Sequence, residues 1–224
     1  MMTHAMLTGK SDRHLATLSG LHRLHPDTII AFQAMQQAAA KDGFNLQPAS
    51  TFRDFERQRL IWNGKFTGER PVIGHDGQPL DILTLNEGDR CKAILRWSAM
   101  PGASRHHWGS DLDVYDPDLL PEGKKLQLEP WEYEDGGYFS LLNIWLSEHM
   151  HEYEFYRPYA HDLGGVAAEP WHISYYPLAQ YAEEQLTSEI IRSAWQGEDI
   201  EGSEWLCRHL PLLFTRFIHN VDGA

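Results

Sequence analysis

Two short stretches of the sequence concentrate side chains able to hold and use a metal ion. The first is Ser104-Arg105-His106-His107-Trp108-Gly109-Ser110-Asp111-Leu112-Asp113, which follows the turn signal Pro101-Gly102. It runs into Asp111 to Tyr115, whose polar and apolar residues alternate as in a strand. Alternation puts Asp111 and Asp113 on one face and Leu112 and Val114 on the other, toward a core. A histidine on the entering loop and an aspartate on the strand can then converge on one point. The second stretch is Glu169-Pro170-Trp171-His172, preceded by Gly164-Gly165. Proline pushes Glu169 into extended backbone, and Trp171 supplies an apolar wall beside a potential acid/base pair. Two neutral imidazoles and one carboxylate leave a tetrahedral zinc ion one open position, as a catalytic site requires. Bound metal lowers the pKa of water in that position to about 7, and a nearby glutamate that is not a ligand can accept the proton. These considerations place zinc on His106, Asp113 and His172, with Glu169 as the base. By residue type alone, His107 is an alternative ligand.

Other machinery is absent from the sequence. There is no Gly-x-x-x-x-Gly-Lys-Ser/Thr phosphate loop, no Gly-x-Gly-x-x-Gly and no Gly-x-Ser-x-Gly elbow. His151-Glu152-Tyr153-Glu154-Phe155 approaches the His-Glu-x-x-His zinc helix, but phenylalanine stands where the second imidazole is needed. His149 and His151 are therefore read as helix-end residues. The two cysteines, Cys91 and Cys207, have no Cys-x-x-Cys spacing and read as free thiols. Acidic side chains outnumber basic ones by 32 to 19, a formal net charge of −13, which argues against nucleic acid or an anionic membrane as partner. The most apolar run, Leu206 to Val221, is broken by Arg208, His209, Pro211, Arg216 and His219, so no membrane span is expected. No secretory signal is visible at Met1 to Leu7, which makes the cytoplasm the default location.

The elements that must position these residues are readable in outline. Residues 1–24 read as a loosely structured arm with a turn at Ser19-Gly20. From Pro26, Ile29, Phe32, Met35 and Ala39 recur near helical spacing until Gly43. Phe44 to Ser50 reads as a strand, and Asp54 to Trp62 as a helix ended by Asn63-Gly64. Residues 65–86, with the turn signal Asp76-Gly77, read as a long loop or irregular hairpin bordering a site. Glu87 to Met100 and Gly137 to Tyr153 read as helical, as do Leu178 to Trp195 and Ser203 to Val221. Helices and strands interleave without βαβ repeats, which predicts an α+β fold with a small sheet. Residues 25–178 form the expected core, and 179–224 a helical tail packed on the same domain, because about 45 residues make a poor independent core.

Ser104-x-His106-x-x-Gly109-x-x-x-Asp113 followed by Glu169-x-Trp171-His172 resembles the zinc D-alanyl-D-alanine peptidases, the VanY-type carboxypeptidases and VanX-type dipeptidases. Their fold is shared with the Hedgehog signalling domain. Ser50-Thr51-Phe52-Arg53-Asp54-Phe55-Glu56-Arg57-Gln58 looks like the family's Ser-x-Tyr/Phe-Arg-x-x-x-x-Gln stretch. The resemblance implies zinc on His106, Asp113 and His172, the base at Glu169 and an oxyanion or substrate contact from Arg53. It makes Gln58 and Ser104 substrate-side polar groups, with Trp171 beside them. Only His106, not His107, keeps the family spacing to Gly109 and Asp113. The family often has alanine where this chain has Asp111, which either adds negative charge near the metal or turns away. The implied substrate is a peptidoglycan-derived peptide cut at a D-Ala-D-Ala or related bond. The alternatives are an endopeptidase like those of phage lysins and a non-catalytic, zinc-stabilised binding module.

Overall fold

The computed structural model describes residues 2–74 and 77–223. Asp76, and with it the Asp76-Gly77 turn, falls outside the described residues. A short helix α1 (His4–Leu7) and a hairpin of β1 (Ala16–Ser19) and β2 (His22–Leu24) precede the long helix α2 (Pro26–Lys41). Then follow β3 (Gln47–Ser50), α3 (Phe55–Phe66), α4 (Glu87–Leu95), β4 (Asp111–Tyr115) and α5 (Ser140–His149). The chain ends with β5 (Phe155–Tyr156), β6 (His172–Tyr175), α6 (Tyr176–Gln185), α7 (Ser188–Ala194) and α8 (Ser203–Phe217).

The main sheet is antiparallel throughout, in the order β3-β4-β6-β5. Its two central strands pair Asp113 with His172, Leu112 with Ile173 and Asp111 with Ser174. Leu112, Val114 and Ile173 turn to one side, into an apolar cluster with Phe32 and Met35 of α2 and Leu142 and Leu146 of α5. The opposite face therefore carries Asp111, Asp113, His172 and Ser174 together. A second cluster, with Trp62, Ile94, Trp108, Ala179, Ile191, Leu206 and Phe214, joins α3 and α4 to α6, α7 and α8.

Several elements differ from the sequence expectation. Residues 2–24 are not loose: Leu7 is buried, its carbonyl accepts from Trp108 Nε1–H at 3.1 Å, and His25 N–H donates to Gly109 O at 3.0 Å. Gly109 has φ +75°, and a Cβ there would lie 2.4 Å from Leu15 and 2.8 Å from the His25 nitrogen, so the motif glycine is demanded by this arm. The strand at 44–50 is shortened because Asn45 N–H is drawn off to the Asp116 carboxylate (2.8 Å). Helix α3 runs through Asn63-Gly64, since Trp62 and Phe66 continue its buried face, and stops at Gly68 with φ +79°. Helix α4 ends at Leu95, five residues early, leaving Trp97 to Met100 to line a cleft. The helix expected from 178 to 195 is broken at Leu186-Thr187, where Thr187 caps α7, and α8 runs to Phe217 with Pro211 inside it. Strands β1, β2, β5 and β6 are too short to show a period in sequence.

Candidate active site

His106 lies on a 3-10 turn, Arg105–His107, held against the β3–α3 connection by Arg53 N–H donating to His106 O at 3.2 Å. Its Nδ1 is 2.9 Å from Thr51 O, and a carbonyl can only accept, so Nδ1 carries the proton and Nε2 presents a lone pair. That Nε2 faces Asp113 Oδ2 at 3.5 Å. His172 is fixed the same way from behind, with Nε2 2.8 Å from Asp111 Oδ2. Its Nδ1 thereby faces forward, 3.3 Å from Asp113 Oδ1 and 3.4 Å from Glu169 Oε2. One ligand atom each from His106, Asp113 and His172 lies within 4.8 Å of the others, and all three residues are buried. Asp113 Oδ1 is buried without a hydrogen-bond partner. Acceptors converging on acceptors, with one orphaned, is the pattern a cation would complete. The residues present therefore fit a metal ion with an outer carboxylate fixing one imidazole.

Between the side chains alone, the electrostatics register the excess of carboxylates around the cluster. Burial opposes charge on His172, but the surrounding carboxylates of Asp111, Asp113 and Glu169 outweigh it and push its pKa well above the ordinary value. Burial also presses the Asp113 carboxyl upward, and His106 and His172 more than offset that, holding it well below the usual carboxylate range. His106 is lowered by burial and by the Arg53 guanidinium. Glu169 goes the other way: burial raises it, with His172 offsetting only part. A carboxyl raised in this way is a better proton acceptor than an ordinary carboxylate.

Arg53 reaches the same point. It donates to Asp113 Oδ2 from Nη2 at 3.2 Å, to Ser50 Oγ from Nε at 3.3 Å and to Gln58 Oε1 from Nη1 at 3.4 Å. Gln58 is fully buried, and its Nε2 donates to Ala99 O at 2.7 Å, so its amide props Arg53 against the 97–100 segment. Ser104 lines the cleft with Arg53, His106, Glu169 and His172. Trp171 is nearly buried, packs on Tyr133 and forms part of the wall of an adjoining groove that Glu169 also lines. Glu169 is held in place by its N–H donating to Tyr159 O (2.9 Å) and by Arg157 Nε gripping Pro170 O (2.8 Å).

Asp111 and His107 are resolved by their partners. His107 lies between Arg53 O, 2.6 Å from Nδ1, and Gly102 N–H, 3.2 Å from Nε2, and burial lowers its pKa to about 3. Both ring nitrogens are spent on backbone, so His107 is a neutral strut facing away from the cluster. Asp111 stands behind His172, bonded to Arg105 Nε at 2.8 Å, Ser110 Oγ at 2.5 Å and Ser174 Oγ at 2.9 Å. Arg105 continues the network to Glu183 (3.0 Å) and Tyr156 (2.8 Å). Thr51, Arg105, Ser174 and Tyr159, whose ring sits edge-on to His172, were not singled out by type or spacing. The only advance sign was period two on β4, which put Asp111 on the face of Asp113.

The fold is that of the DD-peptidases. VanYB, solved in complex with D-alanine-D-alanine, superposes with a TM-score of 0.55 at 21% identity, covering 85% of this chain and 92% of that chain. A vancomycin-resistance D,D-pentapeptidase VanY variant from a VanB-type cassette, solved in complex with Zn(II), gives 0.51 at 22% identity, covering 86% and 88%. At the level of sequence, the model for the D-alanyl-D-alanine carboxypeptidase family VanY matches residues 21–178, and the chain belongs to that family. An uncharacterised protein of Haemophilus influenzae is 50% identical over 118 residues, covering 52% of this chain and 90% of its own length. A second from the same organism is 57% identical over 103 residues, covering 44% and 70%.

Proposed function

We propose that this chain is a zinc-dependent carboxypeptidase that hydrolyses the D-Ala-D-Ala bond, or a closely related one, in peptidoglycan stem peptides. The observation that carries the reading is the convergence of His106 Nε2, Asp113 and His172 Nδ1 beside Glu169, with Asp113 Oδ1 left unpartnered. Family membership supports the bond, and the Zn(II) and D-alanine-D-alanine found with the two VanY structures support metal and ligand. Zinc held by His106, Asp113 and His172 would supply a Lewis acid that polarises the scissile carbonyl and acidifies water. Glu169, buried with a raised pKa, takes the proton from the attacking water and delivers it to the leaving amine. Arg53, its guanidinium already at Asp113, offers N–H groups to the oxygen on which negative charge develops. The burial of Glu169, His106, Asp113 and His172 strengthens both effects.

Metal analysis combined with product identification tests this. A pentapeptide stem, a D-Ala-D-Ala dipeptide and intact cell wall are offered in parallel. One zinc per chain and release of D-alanine from the pentapeptide are expected. Cleavage of cell wall alone would make the enzyme an endopeptidase. Zinc without hydrolysis of any of the three would leave a binding module.

A further inference from the structure

Of the arginines lining the metal-side cleft, Arg53 bonds Asp113, Gln58 and Ser50, and its remaining N–H groups are those assigned above to the reacting oxygen, which leaves none among the described residues for a substrate carboxylate. Arg105 and Arg157 are likewise taken up, the first by Asp111 and Glu183, the second by Pro170 O and Asn143. Lys65 differs. It sits in the last turn of α3, where a lysine ordinarily runs out to solvent, but here it is only half-exposed and turns inward. Its Nζ donates to Ser98 Oγ at 2.8 Å, and among the described residues it has no ion pair. Ser98 lines the cleft that holds the metal cluster, and Lys65 lines the adjoining groove. Trp97 and Glu169 line both, so the two spaces adjoin at these residues. An ammonium partly removed from water with a neutral hydroxyl as its hydrogen-bond partner is costly, and its pKa falls to about 8, chiefly through burial, with the Glu169 carboxylate opposing only part of the fall. Such a cation beside a catalytic carboxylate is suited to receiving an anion.

Which anion follows from the chemistry of Glu169. The group that protonates the leaving amine must stand on the leaving-residue side of the scissile bond. The carboxylate of that residue lies two bonds from the amine, so a cation lining the same groove as Glu169 can meet it. Resting on the peptidase reading above, we infer that Lys65, backed by Ser98, is the seat of the free carboxylate of the leaving residue. Arg53 then serves charge that develops at the reacting carbonyl, and Lys65 serves charge that the substrate carries from the start. This division makes the enzyme selective for chain ends.

The test compares wild type, Lys65→Met and Lys65→Arg on three stem peptides: one with a free C-terminal carboxylate, its C-terminal carboxamide, and one whose internal carboxylates are amidated. Wild type should prefer acid to carboxamide. Lys65→Met should raise KM for the acid about tenfold or more, the equivalent of about 1.4 kcal/mol. It should leave kcat within about twofold, level acid with carboxamide and retain zinc and melting temperature. Lys65→Arg should keep most of the preference. An undiminished acid preference in Lys65→Met would overturn the assignment, as would a loss confined to recognition of internal carboxylates. Equilibrium binding of the same peptides is measured in a Glu169→Ala background, so that recognition is read without turnover. Lys65-dependent binding from a wild type that hydrolyses nothing would sink the peptidase reading and keep the carboxylate seat. Turnover indifferent to Lys65 would do the reverse.

Discussion

Asp111 and Asp113 stand two residues apart on the same face of β4, and both are buried, yet their surroundings are opposite. Behind His172, Asp111 is saturated by His172, Arg105, Ser110 and Ser174. In front of it, Asp113 has one guanidinium N–H at 3.2 Å and an oxygen with no partner. A fully satisfied buried network fixes geometry, whereas an unsatisfied one is held open for something to bind. The rear of the sheet face thus orients the imidazole that the front uses. The pairing of Asp113 with His172 across β4 and β6 makes the two sides one rigid unit.

Substitutions at the front should break the site outright. His172→Ala removes a ligand atom and should abolish stoichiometric zinc and bring hydrolysis to background; full zinc occupancy by elemental analysis would refute the ligand set. Glu169→Ala should retain zinc and fold while turnover falls by about 10²–10⁴-fold, the usual worth of a general base. Loss of zinc in that variant would show that Glu169 is a ligand and not the base. Arg53→Ala should lower kcat by about 10²-fold, as removal of an oxyanion donor does, with a smaller change in KM. Lysine should not restore it, because a point charge cannot span Asp113, Gln58 and an oxyanion together. A purely KM effect would move Arg53 to substrate anchoring.

At the rear the effect should be smaller and of another kind. Asp111→Ala should weaken zinc binding by about 10–100-fold, read by competition with a chelator, because His172 loses the acceptor that sets its tautomer. The same variant should melt at a lower temperature, since Arg105 is left buried with one carboxylate, Glu183, instead of two. Unchanged zinc affinity would reduce Asp111 to a structural role and dissolve the distinction between front and rear.

The front was legible in the sequence because its chemistry is local. His106 and Asp113 lie on one loop and strand, Glu169 and His172 on one turn, and the spacing of each pair survives without knowledge of the fold. Spacing to Gly109 and Asp113 favours His106 over His107 only through the resemblance; the backbone partners that occupy both His107 ring nitrogens, at Arg53 and Gly102, are encoded by no spacing. The rear was illegible for the same reason: Arg105, Ser174 and Glu183 meet Asp111 only after β4 pairs with β6 and α6 folds back. Helix α2 and strand β4 were readable by period. The break at Thr187 and the continuation through Gly64 were not, because tertiary contacts of Trp62, Phe66 and Ile191 decided them. The N-terminal arm looked unstructured since its apolar residues are few and their partners lie far along the chain.

That arm has a consequence in time. Leu7 O and the His25 amide clasp Trp108 and Gly109, so the loop bearing His106 is completed by chain made about a hundred residues earlier. His172 arrives later still. At synthesis rates of about 5–20 residues per second, Leu7 waits roughly 5–20 seconds before its partner exists. Contacts so distant in sequence also slow folding from the denatured state. The ligand cluster should therefore assemble among the last events of folding, and zinc should be captured by a nearly finished protein.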